Sequence, residues 1–136
     1  MTMLRLVSHE KEEIFKAVCD GLASQGWKRS VTANNDCVYV STFQAGNKPL
    51  HCAGGYAIHP EDRDRLFYYN RLSWDALILE RIVPRIHETF IERLQLAHDT
   101  SREINGPQNM WEEFRKLAQR WDFPFDYPKP GINFIP

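Results

Sequence analysis

The stretch 37-CVYVSTFQAGNKPLHCAGGYAIHP-60 decides how this chain folds. Residues 37–43 alternate as a half-buried strand does, with Cys37, Tyr39 and Phe43 on one face and Val38, Val40 and Thr42 on the other. Residues 44–48 include Gly46-Asn47, both tolerant of positive φ, so a turn is expected there. Residues 50–52 then return as the second strand of an antiparallel hairpin. A four-residue loop at 44–47 sets Phe43 opposite Lys48. In that register Cys37, Tyr39, Phe43, Leu50 and Cys52 share one side, and His51 turns to the other, away from both cysteines. One β-bulge would reverse the assignment.

Helical patterns flank this ribbon on both sides. Ser8 is placed to cap a helix with Glu10, Glu12 and Glu13 in its first turn, where the helix dipole favours negative charge. Ile14, Phe15, Val18, Cys19 and Leu22 form its apolar stripe, and Gly26 stops it. Residues 27–36 read as a polar connection. After Cys52, residues 56–58 suggest a helical turn ended by Pro60, and 61–70 a charged, then aromatic loop. Ser73 caps a helix that buries Trp74, Leu77, Ile78 and Ile82, and Pro84 opens the next one, 85–99, burying Ile86, Phe90, Ile91 and Leu94. A last helix, 107–121, carries Trp111, Phe114, Leu117, Ala118 and Trp121. The segment 122–136, DFPFDYPKPGINFIP, alternates proline with aromatics and is expected to be an extended tail strapping its own domain more readily than a partner. The expected architecture is a mostly helical α+β domain over residues 1–136: one β-hairpin packed by four or five amphipathic helices.

Composition narrows the functional classes. At 136 residues, with 43% apolar and 12% aromatic side chains, the chain builds its own core and is not a disordered segment. A formal charge of −1 with interleaved signs gives no footprint for nucleic acid. Three cysteines, at 19, 37 and 52, do not form a disulfide framework. The Met1 region has no signal-peptide pattern, and no apolar run approaches the roughly 20 residues of a membrane span. A cytoplasmic protein with reduced thiols and no membrane partner is the expectation.

Four landmarks stand together along the chain: Cys37-Val38-Tyr39, Cys52-Ala53-Gly54-Gly55, Ile58-His59-Pro60-Glu61-Asp62 and Leu94-Gln95-Leu96-Ala97-His98-Asp99, followed by a tryptophan-bearing helix. This set resembles a loose family of uncharacterised small bacterial and phage proteins. Its members carry a Cys-Tyr strand, a Cys-Ala-x-Gly segment, an Ile-Pro-Asp-Glu loop and a Leu-Gln-x-x-His-Asp helix end. The likeness covers about residues 14–123. The chain departs from the pattern where Tyr56-Ala57-Ile58 follows Gly55 and where His59 precedes Pro60. The resemblance implies a phage or mobile-element protein, a non-enzymatic adaptor or antagonist acting on a host system such as defence.

Four constellations compete for chemistry. Cys37 and Cys52, joined by His98 and Asp99 or by His59, would supply soft and borderline ligands for zinc, but the tight Cys-x2-Cys knuckle of structural zinc sites is missing. His98-Asp99 suggests a base with its orienting carboxylate. Adjacent helical residues point about 100° apart, so the expectation is instead a buried imidazole bonded to a carbonyl or to Gln95. Gly54-Gly55 would offer backbone N–H groups to a phosphate, or simply permit close packing against Tyr39 or Trp74. Residues 63–71, RDRLFYYNR, are the expected binding surface. Arg63, Arg65, Tyr68, Tyr69 and Arg71 suit a host-protein interface or, with Gly54 and Gly55, a small nucleotide held as by a sponge. The plain alternative is a docking loop that buries Leu66 and Phe67. No serine-hydrolase elbow or His-Glu-x-x-His is present, which speaks against an enzyme, and no cofactor is implied.

Overall fold

A computed structural model describes residues 2–42, 48–101 and 105–131. Among them the order is α1 (Lys11–Ser24), β1 (Val40–Ser41), β2 (Leu50–His51), α2 (Ala53–Ala57), α3 (Pro60–Arg63), a 3-10 turn (Asp64–Tyr69), α4 (Trp74–Leu79), α5 (Glu88–Asp99) and α6 (Gly106–Trp121). The class is the expected mostly helical α+β with one antiparallel ribbon. Six α-helices replace the expected four or five, because residues 60–69 coil instead of looping. Pro60 suits the first helical position, and His59 Nδ1 accepts the Glu61 N–H at 3.1 Å, so that turn is capped from its own sequence.

The ribbon has the expected register: Val40 opposes His51 and Ser41 opposes Leu50. Tyr39 therefore shares a face with Cys52, and the Cys52 N–H extends the ladder to Tyr39 O at 3.2 Å. Both strands are shorter than the sequence suggests. Cys37 leaves the ribbon to bridge Val31, and Val38 N–H donates to Ser30 O at 3.0 Å. The segment 27–36 is thus not a polar connection, since Trp27, Ser30 and Val31 are all buried. The expected turn at Gly46-Asn47, with Phe43, lies outside the described residues.

Two carboxamides close the ribbon's outer edges. Asn70 accepts the Val40 N–H at 3.0 Å and donates to Val40 O at 2.9 Å, while Gln25 does the same to His51 at 3.1 and 2.8 Å. Each amide occupies the donor and acceptor that a third strand would use, so the sheet stops at two.

The helices pack as their stripes dictate. In α1, Ile14, Phe15, Val18, Cys19 and Leu22 are buried, and Gly26 follows the helix at φ +70°. In α4, Ser73 Oγ accepts the Ala76 N–H. Helix α5 starts at Glu88, three residues after the expected start, because His87 takes a left-handed conformation (φ 62°) and leaves Ile86 exposed. On α6 the buried line runs through Met110, Phe114, Leu117 and Ala118. Trp111 sits on its flank, where its indole N–H donates to Tyr127 O at 2.8 Å. The extended segment 122–131 lays Phe123, Phe125 and Tyr127 on the core, with Phe123 5.4 Å from Phe15 and Phe125 6.0 Å from Trp27 between ring centroids. At the other terminus Leu4 and Leu6 are buried, and Leu6 bridges Ile58. The core is therefore closed from both ends of the chain, with α2 at its centre.

Candidate functional site

Helix α2 is where the sequence concentrates its polar suspects, and there they bond one another. Gly54 and Gly55 are buried. Gly54 N–H donates to Gln95 Oε1 at 2.7 Å and Gly55 N–H to Cys52 Sγ at 3.4 Å, so neither faces a phosphate. A Cβ on Gly54 would lie 3.1 Å from Tyr39 Cε1 and 3.2 Å from Trp74 Cζ3; one on Gly55 would lie 3.0 Å from Tyr39 O. Close packing accounts for the pair. Arg63 closes the other end of the helix. Its Nε donates to Gly55 O at 2.9 Å, its Nη2 to Ile58 O at 3.0 Å and to Tyr56 O at 3.4 Å, with the guanidinium carbon 4.8 Å above the Tyr56 ring. A nucleotide held by Arg63 and the glycine turn would have to displace the groups that terminate α2.

His98 is fully buried, and its tautomer follows from its partners. Ser30 N–H donates to Nε2 at 3.0 Å, so the ring proton is on Nδ1, which donates to Asp99 Oδ1 at 2.8 Å. The adjacent residues do pair, contrary to the expectation from helical geometry. Nδ1 is the ring nitrogen nearest the backbone, and Gln95 Nε2 holds the same carboxylate oxygen at 2.8 Å, drawing it back over the last turn. The reading of a buried imidazole holds, with different partners from those expected.

The structure brings Cys37, His98 and Asp99 together, their ligand atoms within 4.8 Å of one another, and leaves Cys52 outside the group. Cys52 instead caps α2. Ligation fails on proton bookkeeping: a metal on Nδ1 would send the ring proton to Nε2, where it would face the Ser30 N–H, donor against donor. Burial, then the Asp99 charge, pushes the Cys37 thiol up, with the Arg29 guanidinium at 3.1 Å working the other way. Cys37 is thus neither a ready thiolate nor part of a built site.

The 3-10 turn is the opposite case. Leu66 is its buried anchor; Arg63 before it and Asn70 after it are both fixed by backbone groups of other elements. Phe67 and Tyr68 project from it, 48% and 80% exposed, with rings 5.9 Å apart at 81°. Phe67 is therefore not the buried docking residue of the plain alternative. It stands between two shallow grooves of about 270 and 200 Å³, the first running past Val40, Thr42 and Pro49, the second past Val31 and Val38. Arg65 pairs with Asp62 at 2.7 Å, a carboxylate that Arg5 also holds, while Tyr69 is half-buried. Arg71 lies past the turn on the wall of a separate cleft. Of the sequence-derived residues, the structure keeps Tyr68 at a free surface with Arg65 beside it and adds Phe67. Its signal was the aromatic run itself, but which ring turns inward depends on the 3-10 pitch, which no periodicity in the segment announced.

No helix among the described residues is long and apolar enough to cross a membrane. No protein-family model, curated protein or solved structure matches the chain.

Proposed function

We propose that this chain works by binding another protein through the Phe67–Tyr68 turn. The observation that carries the reading is the mounting of those two rings: both ends of the turn are bonded to other elements, so the aromatics are held outward on a rigid base. Preorganised aromatic side chains lose little entropy on docking, and tyrosine is among the residues that dominate interface energies. The neighbouring grooves offer apolar seats for a partner's side chains. The capped ribbon edges argue that the partner packs on side chains and does not add a strand. The likeness to small phage proteins supports a host protein as partner, met in the cytoplasm, with defence systems among the candidates.

Photo-crosslinking in a host lysate tests this. A photoreactive residue at position 68 is expected to capture one discrete protein that the same residue at Lys116, on α6, does not. With that protein in hand, Tyr68→Ala should weaken binding by about thirtyfold, corresponding to roughly 2 kcal/mol. Equal capture from both positions, or none from position 68, overturns the reading.

A further inference from the structure

Asp62 lies in α3 just ahead of the 3-10 turn, with its side chain only 6% exposed. Its Oδ2 accepts the Arg5 backbone N–H and Arg5 Nε, each at 2.9 Å. Its Oδ1 accepts Arg5 Nη2 at 3.2 Å and Arg65 Nη2 at 2.7 Å. A carboxylate offers about four lone-pair sites, so Asp62 has no acceptor capacity left. Each guanidinium carries more N–H groups than it uses there, and the shared Oδ1 sets the two side by side. One negative charge thus holds two positive ones. Both arginines stay half outside, 54% and 52% exposed. Glu61 also approaches, with Oε1 4.0 Å from Arg5 Nη2, but its side chain is 76% exposed. An ion pair so long and so hydrated contributes little.

The arginine pair adjoins the exposed aromatics. Arg65 and Tyr68 line one small cavity of about 80 Å³, which the N-terminal arm closes with Thr2 and Leu4. The ribbon side of the turn has the other sign, because Asp64 lines the groove that runs past Val40 and Pro49. We infer that the partner docked on Phe67–Tyr68 presents an aspartate or glutamate, next to a large apolar side chain, to the Arg5–Arg65 pair. That carboxylate displaces Glu61 and accepts N–H groups from both guanidiniums, while its apolar neighbour packs on the rings. The charges also orient the partner, with its acid towards the arm and away from Asp64. A basic segment would meet the arginines with like charge. A wholly apolar one would cover two guanidiniums and supply no acceptor. The inference rests on the proposed Phe67–Tyr68 surface and adds the partner's chemistry to it.

Selection from a random-peptide library on the immobilised full chain tests this before any natural partner is known. The selected peptides are expected to share an aspartate or glutamate beside a large apolar residue. Tyr68→Ala should weaken their binding about thirtyfold, and Arg65→Gln about tenfold. Arg65→Gln leaves Asp62 its three bonds to Arg5, so the turn keeps its anchor, and an unchanged urea midpoint verifies that. Glu61→Gln removes the competing carboxylate and should tighten binding about twofold, a gain that no loss of folding produces. Added salt should weaken binding to the unaltered chain more than binding to Arg65→Gln. Peptides that need Tyr68 but carry no acid, or that bind Arg65→Gln as well as the unaltered chain, overturn the inference and leave the Phe67–Tyr68 surface standing. Peptides indifferent to Tyr68, or a selection that yields none, overturn both.

Discussion

Arg63 and Tyr68 are five residues apart, on either side of the buried Leu66, and they meet opposite surroundings. The arginine donates to three carbonyls at the end of α2, whereas the tyrosine is 80% exposed to solvent. By residue type both belong to the class that suggests recognition. What separates them is whether their bonding capacity is already engaged inside the fold. The α2 corner, with Gly54, Gly55, Arg63 and His98, is a sealed polar region in which each group completes another. The 3-10 turn is an open one, fixed at its base and unoccupied at its tips. A charged or aromatic residue signals function here only after the interior has taken what it needs.

The sharpest way to break that contrast is His98→Leu. The substitution keeps most of the buried volume but removes the acceptor for the Ser30 N–H and the donor to Asp99. Leaving the buried Ser30 N–H unmatched costs about 1–3 kcal/mol, and Asp99, one-third exposed and still held by Gln95, adds little, so urea denaturation should show a loss of about 2 kcal/mol. A loss below about 1 kcal/mol would mean that the imidazole is not committed to those partners, and the corner would then have a free base.

The sequence carried the class, the register and most of the core, because each follows from local periodicity. The pairing of Val40 with His51 was recoverable since it is the alignment that an unbulged hairpin with Phe43 opposite Lys48 predicts. The stripe of α1 was recoverable because five apolar residues repeat at helical spacing. The rest depends on contacts between distant segments. Gln25 and Asn70 look like ordinary loop polar residues, and nothing local says that they will cap two strand edges. His98 needs Ser30, sixty-eight positions away, before its tautomer is defined. The pairing of His98 with Asp99 is not legible in the angle between helical side-chain directions, because ring geometry and Gln95 determine the outcome.

A second test sharpens the boundary of the sealed region, through His51. The ring is buried at its edge and donates to Asp64 at 3.0 Å. Burial holds its pKa below the ordinary value, with Arg63 acting in the same direction and Asp64 opposing. An imidazole depressed in the folded state is protonated first in the unfolded chain. Its contribution to stability is therefore complete above about pH 6.5 and declines as pH falls towards the folded value. The unfolding free energy from urea denaturation should fall between about pH 7.5 and 5.5, by no more than roughly 1.4 kcal/mol per pH unit, and His51→Gln should flatten that decline. Asp62, held below the usual carboxylate range chiefly by Arg5, withdraws its own contribution only under about pH 4, so the two effects separate. Stability that rises on acidification through this window would place His51 with the open region instead.

The smallest effect is expected where the aromatic content is most conspicuous. Phe67→Ser combined with Tyr68→Ala removes two large side chains, yet the anchors of the turn are Leu66, Arg63 and Asn70, none of which changes. Exposed substitutions away from buried or bonded groups shift stability within about 0.5 kcal/mol, and this pair should do the same in urea. Serine at position 67 also reduces the apolar surface presented to water, which works against any loss of ring–ring contact. A loss beyond about 2 kcal/mol would show that the rings support the turn, and the distinction between a sealed corner and an open turn would collapse into one continuous core. If the midpoint stays put, the rings are dispensable to folding, and a rigid base that displays two dispensable aromatics is the property expected of a surface kept for contact with another molecule.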